Sequence, residues 1–224
     1  MFTPNHIGII PDGNRRFGRK YGLTLVQAYE RGINKLRDVC GWSKELGIKT
    51  LTVWGFSTEN FGRSIIEKQI FFRLLNEKIK NIINSDEFRK ENLGIRIIGK
   101  LDMFPNYLRE SFRKLESVFS EGEVSLNIAL GYGGRQELVD AFNKMIKNGI
   151  KKIDQNLVKN FLYLNEEPDL IIRTSGEKRT SGFLPWQSAY SEFVFLKPLW
   201  PELSKRDFLS AIREFQRRQR RFGR

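Results

Sequence analysis

The stretch Ile7-Gly-Ile-Ile-Pro-Asp-Gly-Asn-Arg-Arg16 decides the reading of this chain. Its apolar run, Ile7 to Ile10, reads as a buried strand. Pro11 stops the run, because proline cannot donate to a sheet ladder. Asp12 follows, then Gly13 and Asn14, both turn-formers that tolerate positive φ. Arg15 and Arg16 come next, with Arg19 and Lys20 behind them. One strand thus delivers a carboxylate, a glycine and a cation cluster to one loop. Arginines and backbone N–H groups suit phosphate oxygens, and a carboxylate suits a divalent metal. The plainer reading is a turn with a solvated basic face.

Outward from this stretch the pattern alternates. A helix is expected over 24–46, with Leu25, Tyr29, Ile33, Leu36 and Cys40 in one stripe, and Gly47 closing it. Thr50 to Phe56 reads as a second strand, rich in β-branched and aromatic residues. The loop Ser57 to Arg63 leads into a long helix ending near Asn84. Strands follow over 94–99, 124–130, 169–173 and 192–196. Helices are expected over 105–119, after Arg135, over 154–164 and over 205–221, and 183–190 reads as partly helical. Six strands separated by helices imply one α/β domain over residues 1–224, with a mainly parallel sheet flanked by helices. The helix after Ser64 carries Phe71, Leu75 and Ile79 beyond one packing stripe. They either pack in the core or line an apolar tunnel.

The 224 residues fit one domain, and 40% are hydrophobic, enough for a sizeable core. The single cysteine, Cys40, excludes a disulfide framework and reads as a core residue. No apolar run reaches membrane-spanning length, and the N-terminus lacks a signal-peptide pattern. A soluble, cytoplasmic protein is expected. The net charge of +13 suggests an anionic partner: nucleic acid, phosphorylated small molecules or an anionic membrane surface. Part of it lies between Arg213 and Arg224, with six arginines and one acid.

Ligands of parallel sheets bind outside the carboxyl ends of the strands. Those ends carry 12–16, Ser57 to Asn60, Tyr132 to Arg135, and Arg173 to Arg179 with Ser181. Arg15, Arg16, Arg135, Arg173 and Arg179 would gather on one edge, a phosphate site. There is no P-loop motif and no Gly-x-Gly-x-x-Gly after the first strand, which disfavours nucleotide chemistry of those types. The single histidine, His6, enters the first strand and suits a core role better than a triad. No Asp-Asp pair occurs.

The run HIGIIPDGNRRF (6–17) resembles the signature of the cis-prenyltransferases, the undecaprenyl diphosphate synthase family. GFSTENFGR (55–63), IRIIG (95–99), LNIALGYGGRQELV (126–139), DLIIRTSGEKRTSGFLPWQSAYSEFVF (169–195), LWPE (199–202) and RRFG (220–223) match in order. The resemblance implies condensation of isopentenyl diphosphate onto an allylic diphosphate, farnesyl or geranylgeranyl, giving a long-chain lipid-carrier precursor of undecaprenyl type. It implies Mg2+ held by Asp12 and Glu192. It places Gly13, Asn14, Arg15, Arg16 and Phe17 at the allylic diphosphate, with Phe61 and Arg63 also at substrate. Arg173, Arg179 and Ser181 fall at the isopentenyl diphosphate. Asn60, with Ser57, falls near the proton that is lost. Arg221 and Gly223 resemble a C-terminal motif that completes the isopentenyl diphosphate site across a homodimer. The product would pass to the membrane, with peripheral contact there, and no nucleic acid would be bound.

Some positions carry a second reading. Glu67 matches a family position near the active site and also completes a capping box, Ser64-Ile-Ile-Glu67, which is the reading preferred here. Glu192 opens the sixth strand, the wrong end by the edge rule. Leu25 and Tyr29 stand where many members carry Arg and His, and Arg15 and Lys178 replace a frequent Gly and His. This variant resembles archaeal-type members, for which a geranylgeranyl primer is expected. Gly55 would leave room for a long chain. The rivals are a non-catalytic partner subunit of such an enzyme, or a basic nucleic-acid-binding protein with its arginines in an aromatic-studded stripe.

Overall fold

Strand β1, His6–Ile10, is buried at every residue and lies at the middle of the molecule. It is a residue longer than the apolar run, because His6 pairs with Thr50. In the computed structural model, which describes residues 3–218, the chain continues through helices α1 (Asn14–Lys20) and α2 (Leu25–Glu45). Then come β2 (Thr50–Ser57), α3 (Ile65–Ile83), a short α4 (Asp86–Arg89) and β3 (Leu93–Ile98). Next are α5 (Asn106–Val118), β4 (Val124–Tyr132), α6 (Gly134–Lys147) and α7 (Gln155–Phe161). The chain ends on β5 (Leu170–Arg173), β6 (Glu192–Phe195) and α8 (Lys205–Arg217).

The six strands form one sheet in the order β3-β4-β2-β1-β5-β6, and every pairing is parallel. Alternate side chains of β1 face opposite layers. Ile7 and Ile9 join the larger core with residues of α2, α3, α5 and α8. Ile10 joins Tyr132, Ile171 and Phe183 on the other face, beyond which α6 and α7 pack through Ala141, Met145 and Val158. The chain builds β2, β3 and β4 on one side of β1, then crosses over to place β5 on the other. That reversal makes the carboxyl end of β1, next to that of β5, the crevice where such sheets take ligands.

Several expectations need correction. The stretch after Pro11 is not a plain loop: Asn14 starts a helix, with Gly13 before it at φ 113°. A Cβ on Gly13 would stand 2.8 Å from Leu199, so both conformation and space demand glycine there. Residues 183–190 are turns rather than partly helical, with Leu184 at positive φ. Helix α7 is shorter than the expected 154–164, since its cap Leu162 is already extended. Helix α8 ends at Arg217 within the described residues.

One buried polar line crosses the sheet. His6 Nε2 lies 2.8 Å from Thr52 Oγ1, which also accepts from Asn127 Nδ2 at 3.1 Å. Burial lowers the His6 pKa from 6.5 to about 4, against the weaker pull of Glu166, Glu167 and Asp169. Between those two values the unfolded chain binds more protons, so stability is full above pH 6.5 and is lost as pH falls through 4. The window is worth roughly 3 kcal/mol. We expect urea midpoints of His6→Gln to fall less steeply than wild type from pH 6.5 to 4. Parallel slopes would show that His6 does not titrate with folding.

Candidate active site

The pairing of β1 with β5 puts Ile10 beside Arg173. Asp12 and Arg173, 161 residues apart, therefore meet: Arg173 Nη2 donates to Asp12 Oδ2 at 2.8 Å. Arg16, on the first turn of α1, donates to Asp12 Oδ1 at 3.3 Å and to Ser175 Oγ at 2.5 Å. Burial works to raise the Asp12 pKa, but Arg173, with help from Ser175 and Arg16, outweighs it and holds the carboxyl below its ordinary value. The group is an anion at neutral pH. The Arg173 side chain is only 6% exposed. It also donates to the Arg179 carbonyl at 2.5 Å and to Ser181 Oγ at 2.9 Å. One guanidinium thus ties the β1 loop to the β5 loop. In that second loop Ser175 and Ser181 both hold positive φ, a cost of about 1–3 kcal/mol each that its surroundings must offset.

Other elements close the rim. Ser57 and Asn60 cap one another across a short 3-10 turn, the Asn60 Oδ1 accepting from the Ser57 N–H at 3.1 Å. The Trp200 N–H donates to the Asp12 carbonyl at 2.9 Å, and its indole N–H donates to the Gly32 carbonyl at 2.7 Å. The backbone of Trp200 therefore pins the β1 loop, and its buried indole ties the same residue to α2.

Asp12, Arg15, Arg16, Arg63, Arg173 and Arg179 all line one cavity of about 1100 Å³. Asn14, Ser57, Asn60 and Ser181 share the same wall. Deeper, the lining turns apolar: Phe71, Leu75 and Ile79 of α3, Val53 of β2, and the buried Leu115 and Leu126. The wide apolar face of α3 therefore borders an open space as well as the core. Gly55 lies on the wall, where an added Cβ would stand 2.9 Å from Leu130. Cys40 also lies there, its thiol pushed up to about 12 by burial, so it stays protonated.

A charged mouth on an apolar cavity suits a molecule with an anionic head and a hydrocarbon tail. The comparisons agree with that shape. A family model described as "Putative undecaprenyl diphosphate synthase" matches residues 10–223. The chain belongs to this prenyltransferase family. A tritrans,polycis-undecaprenyl-diphosphate synthase (geranylgeranyl-diphosphate specific) of Thermoplasma volcanium is 44% identical, covering 99% of this chain and 89% of that protein. An isoprenyl transferase of Thermus thermophilus is 43% identical, with 99% and 89% covered. The crystal structure of lavandulyl diphosphate synthase from Lavandula x intermedia, in complex with dimethylallyl diphosphate, superposes with a TM-score of 0.89. It is 31% identical, over 99% of each chain.

Within this prenyltransferase, not every expected site residue reaches the cavity. Phe17 lies off it, its ring 4.8 Å from that of Tyr21. Phe61 joins an aromatic cluster instead, edge-on to Phe56 and Phe104 at 5.1 Å. Arg135 is exposed on α6, away from the lining. Tyr132 is a packing residue whose hydroxyl donates to Glu137 at 2.5 Å. Glu192 pairs in register with Leu170, at the amino edge of the sheet, and is held by Arg218 at 2.7 Å. Within one chain Glu192 thus stands at the amino end of its strand, while Asp12 follows the carboxyl end of β1. Arg221 and Gly223 lie outside the described residues.

The capping box is half correct. Ser64 Oγ accepts from the Glu67 N–H at 3.2 Å. The Glu67 side chain, however, takes the Tyr29 hydroxyl at 2.6 Å and pairs with Arg63 at 3.3 Å. Glu177 was also missed. It pairs with Arg16 at 3.3 Å and Arg179 at 2.5 Å. Its signal is visible in retrospect: an acid directly before Lys178 and Arg179 in a polar loop.

Among the described residues no cluster of three or more His, Cys, Asp or Glu stands ready for a metal. Mg2+ does not require one, since it binds through one or two carboxylates plus substrate phosphates and keeps its waters. The ionised Asp12 at the mouth fits that need. Among the described residues no helix is long and apolar enough to cross a membrane.

Proposed function

We propose that this chain is a Mg2+-dependent cis-polyprenyl diphosphate synthase that extends geranylgeranyl diphosphate with isopentenyl diphosphate into a long chain. The single supporting observation is the cavity itself, whose lining brings Asp12 together with Arg15, Arg16, Arg63, Arg173 and Arg179 and continues into apolar wall from α3, β2 and β4. A diphosphate head fits the first part and a growing polyprenyl tail the second, which supports reading the cavity as a product tunnel. The 44% identical Thermoplasma volcanium protein, named for geranylgeranyl diphosphate, supports that primer.

Placement supports the following roles. Arg173, Arg179 and Ser181 take the isopentenyl diphosphate, and Asn14, Arg15, Arg16 and Arg63 take the allylic diphosphate. Charge-assisted bonds fixed before the reaction cost no reorganisation as charge develops on the leaving group. In the condensation the allylic C1–O bond breaks and diphosphate leaves. Isopentenyl C4 bonds to that C1, and a C2 proton departs at the Ser57–Asn60 rim. Asp12 would hold Mg2+, which supplies Lewis-acid assistance to the leaving diphosphate when bound. Arg218, the last described residue before the C-terminal tail, is held at the amino edge of the sheet, opposite to Asp12. That origin favours a homodimer in which Arg221 and Gly223 serve the other copy. Product release to a membrane surface follows from the apolar tail.

A competition assay tests the primer. With equimolar farnesyl and geranylgeranyl diphosphate, labelled isopentenyl diphosphate should enter chains built on geranylgeranyl. Equal use of both primers, or a farnesyl preference, would contradict the assignment.

A further inference from the structure

One carboxylate, beside three residues that line the cavity, has no part in the roles above. Glu67 sits in the first turn of α3, with its side chain 14% exposed. One of its oxygens, Oε1, gathers groups from three other segments. The Tyr29 hydroxyl, from α2, donates to it at 2.6 Å. Arg63, from the preceding loop, lies at 3.3 Å, and Arg15, from α1, at 3.9 Å. Arg63 also donates to the Tyr29 oxygen at 3.0 Å. Arg15, Tyr29 and Arg63 line the cavity. The start of α3 does not need this side chain, because Ser64 caps the helix through the Glu67 backbone.

We propose that Glu67 is a resident counter-anion for Arg15 and Arg63, held in place by Tyr29, and that an incoming prenyl diphosphate takes these two arginines from it. The inference rests on the reading of the mouth as a diphosphate site. Two guanidiniums repel one another, and an anion between them keeps both in position before substrate arrives. The same anion competes with the substrate. Glu67 therefore trades affinity for placement, and it returns the arginines to their resting partner when diphosphate leaves. Tyr29 sets the strength of that competition. Its hydroxyl donates to Glu67 Oε1, and its ring is fixed edge-on to Phe71 at 5.6 Å. Burial first, and the bond to Glu67 second, push its pKa to about 12, so it remains a donor at any working pH. Without that hydroxyl, Glu67 is left to the arginines alone and competes harder.

The two substitutions should then act in opposite directions. Binding of inorganic diphosphate and of geranylgeranyl diphosphate would be titrated into wild type, Glu67→Gln and Tyr29→Phe at fixed ionic strength, with melting temperatures alongside. We expect at least threefold tighter binding by Glu67→Gln and at least threefold weaker binding by Tyr29→Phe. In turnover the KM for the allylic primer should follow the same signs, with kcat moving less than KM. Weaker or unchanged binding by Glu67→Gln would overturn the proposal. So would weaker binding by both variants with lowered melting temperatures, the mark of a merely structural pair. If wild type binds neither ligand, the diphosphate reading falls, and this inference with it.

Discussion

Replacing Asp12 by alanine should lower kcat about 10³-fold while leaving the fold intact. Asp12 stands at the carboxyl end of β1, where the sheet order reverses, and its two oxygens face Arg173 and Arg16. Alanine removes the anion that would hold Mg2+ against a substrate diphosphate. It also removes the partner that orients Arg173. The arginine keeps Ser181 and the Arg179 carbonyl, so it is not left without hydrogen bonds. Asp12 is itself partly exposed, and the stability change should be about 1 kcal/mol. Steady-state incorporation of labelled isopentenyl diphosphate, with a thermal melt as control, measures both quantities. A loss of less than tenfold in kcat would remove Asp12 from the role given to it.

The largest stability effect is expected far from the mouth. Glu137, in the first turn of α6, is fully buried. Its carboxylate accepts from the Tyr132 hydroxyl, the Gln187 amide, and the N–H groups of Tyr163 and Leu164. Burial raises its pKa, while these four donors pull the other way. One acceptor thus joins the end of β4, the segment after α7 and the turns before β6. Glu137→Ala strands those donors and opens a void. Each stranded buried donor costs about 1–3 kcal/mol, and partial relaxation should leave a net loss of about 4 kcal/mol. For a chain of this size that is a fall in melting temperature of roughly 10 °C. Differential scanning calorimetry measures it, and a shift under 3 °C would mean that water or repacking replaces the carboxylate.

Much of this architecture is legible in the sequence because it rests on local patterns. The apolar run Ile7–Ile10 ended by Pro11 marks β1, and strands alternating with amphipathic stretches mark the parallel sheet. Strand-end loops then gather Asp12, Arg16, Arg173 and Arg179 as the edge rule requires. The failures have physical causes. Helix α1 was hidden because Gly13 and Asn14 signal a turn and NRRFGRK has no apolar period. Phe17 and Phe61 belong to matching motifs, but motif membership does not say which side of a turn faces the cavity. The Ser64-x-x-Glu67 spacing predicts a capping box, and tertiary partners from α1 and α2 drew the Glu67 side chain away. Glu137 reads as an ordinary helix-surface acid, since its donors lie 5, 26, 27 and 50 residues away.

The most direct test of the central claim is incorporation of labelled isopentenyl diphosphate by the full chain with Mg2+ and geranylgeranyl diphosphate, with products sized by chromatography and released diphosphate counted. The account predicts chains that grow in five-carbon steps, with one diphosphate released per step. No incorporation by folded protein that binds both diphosphates would contradict it.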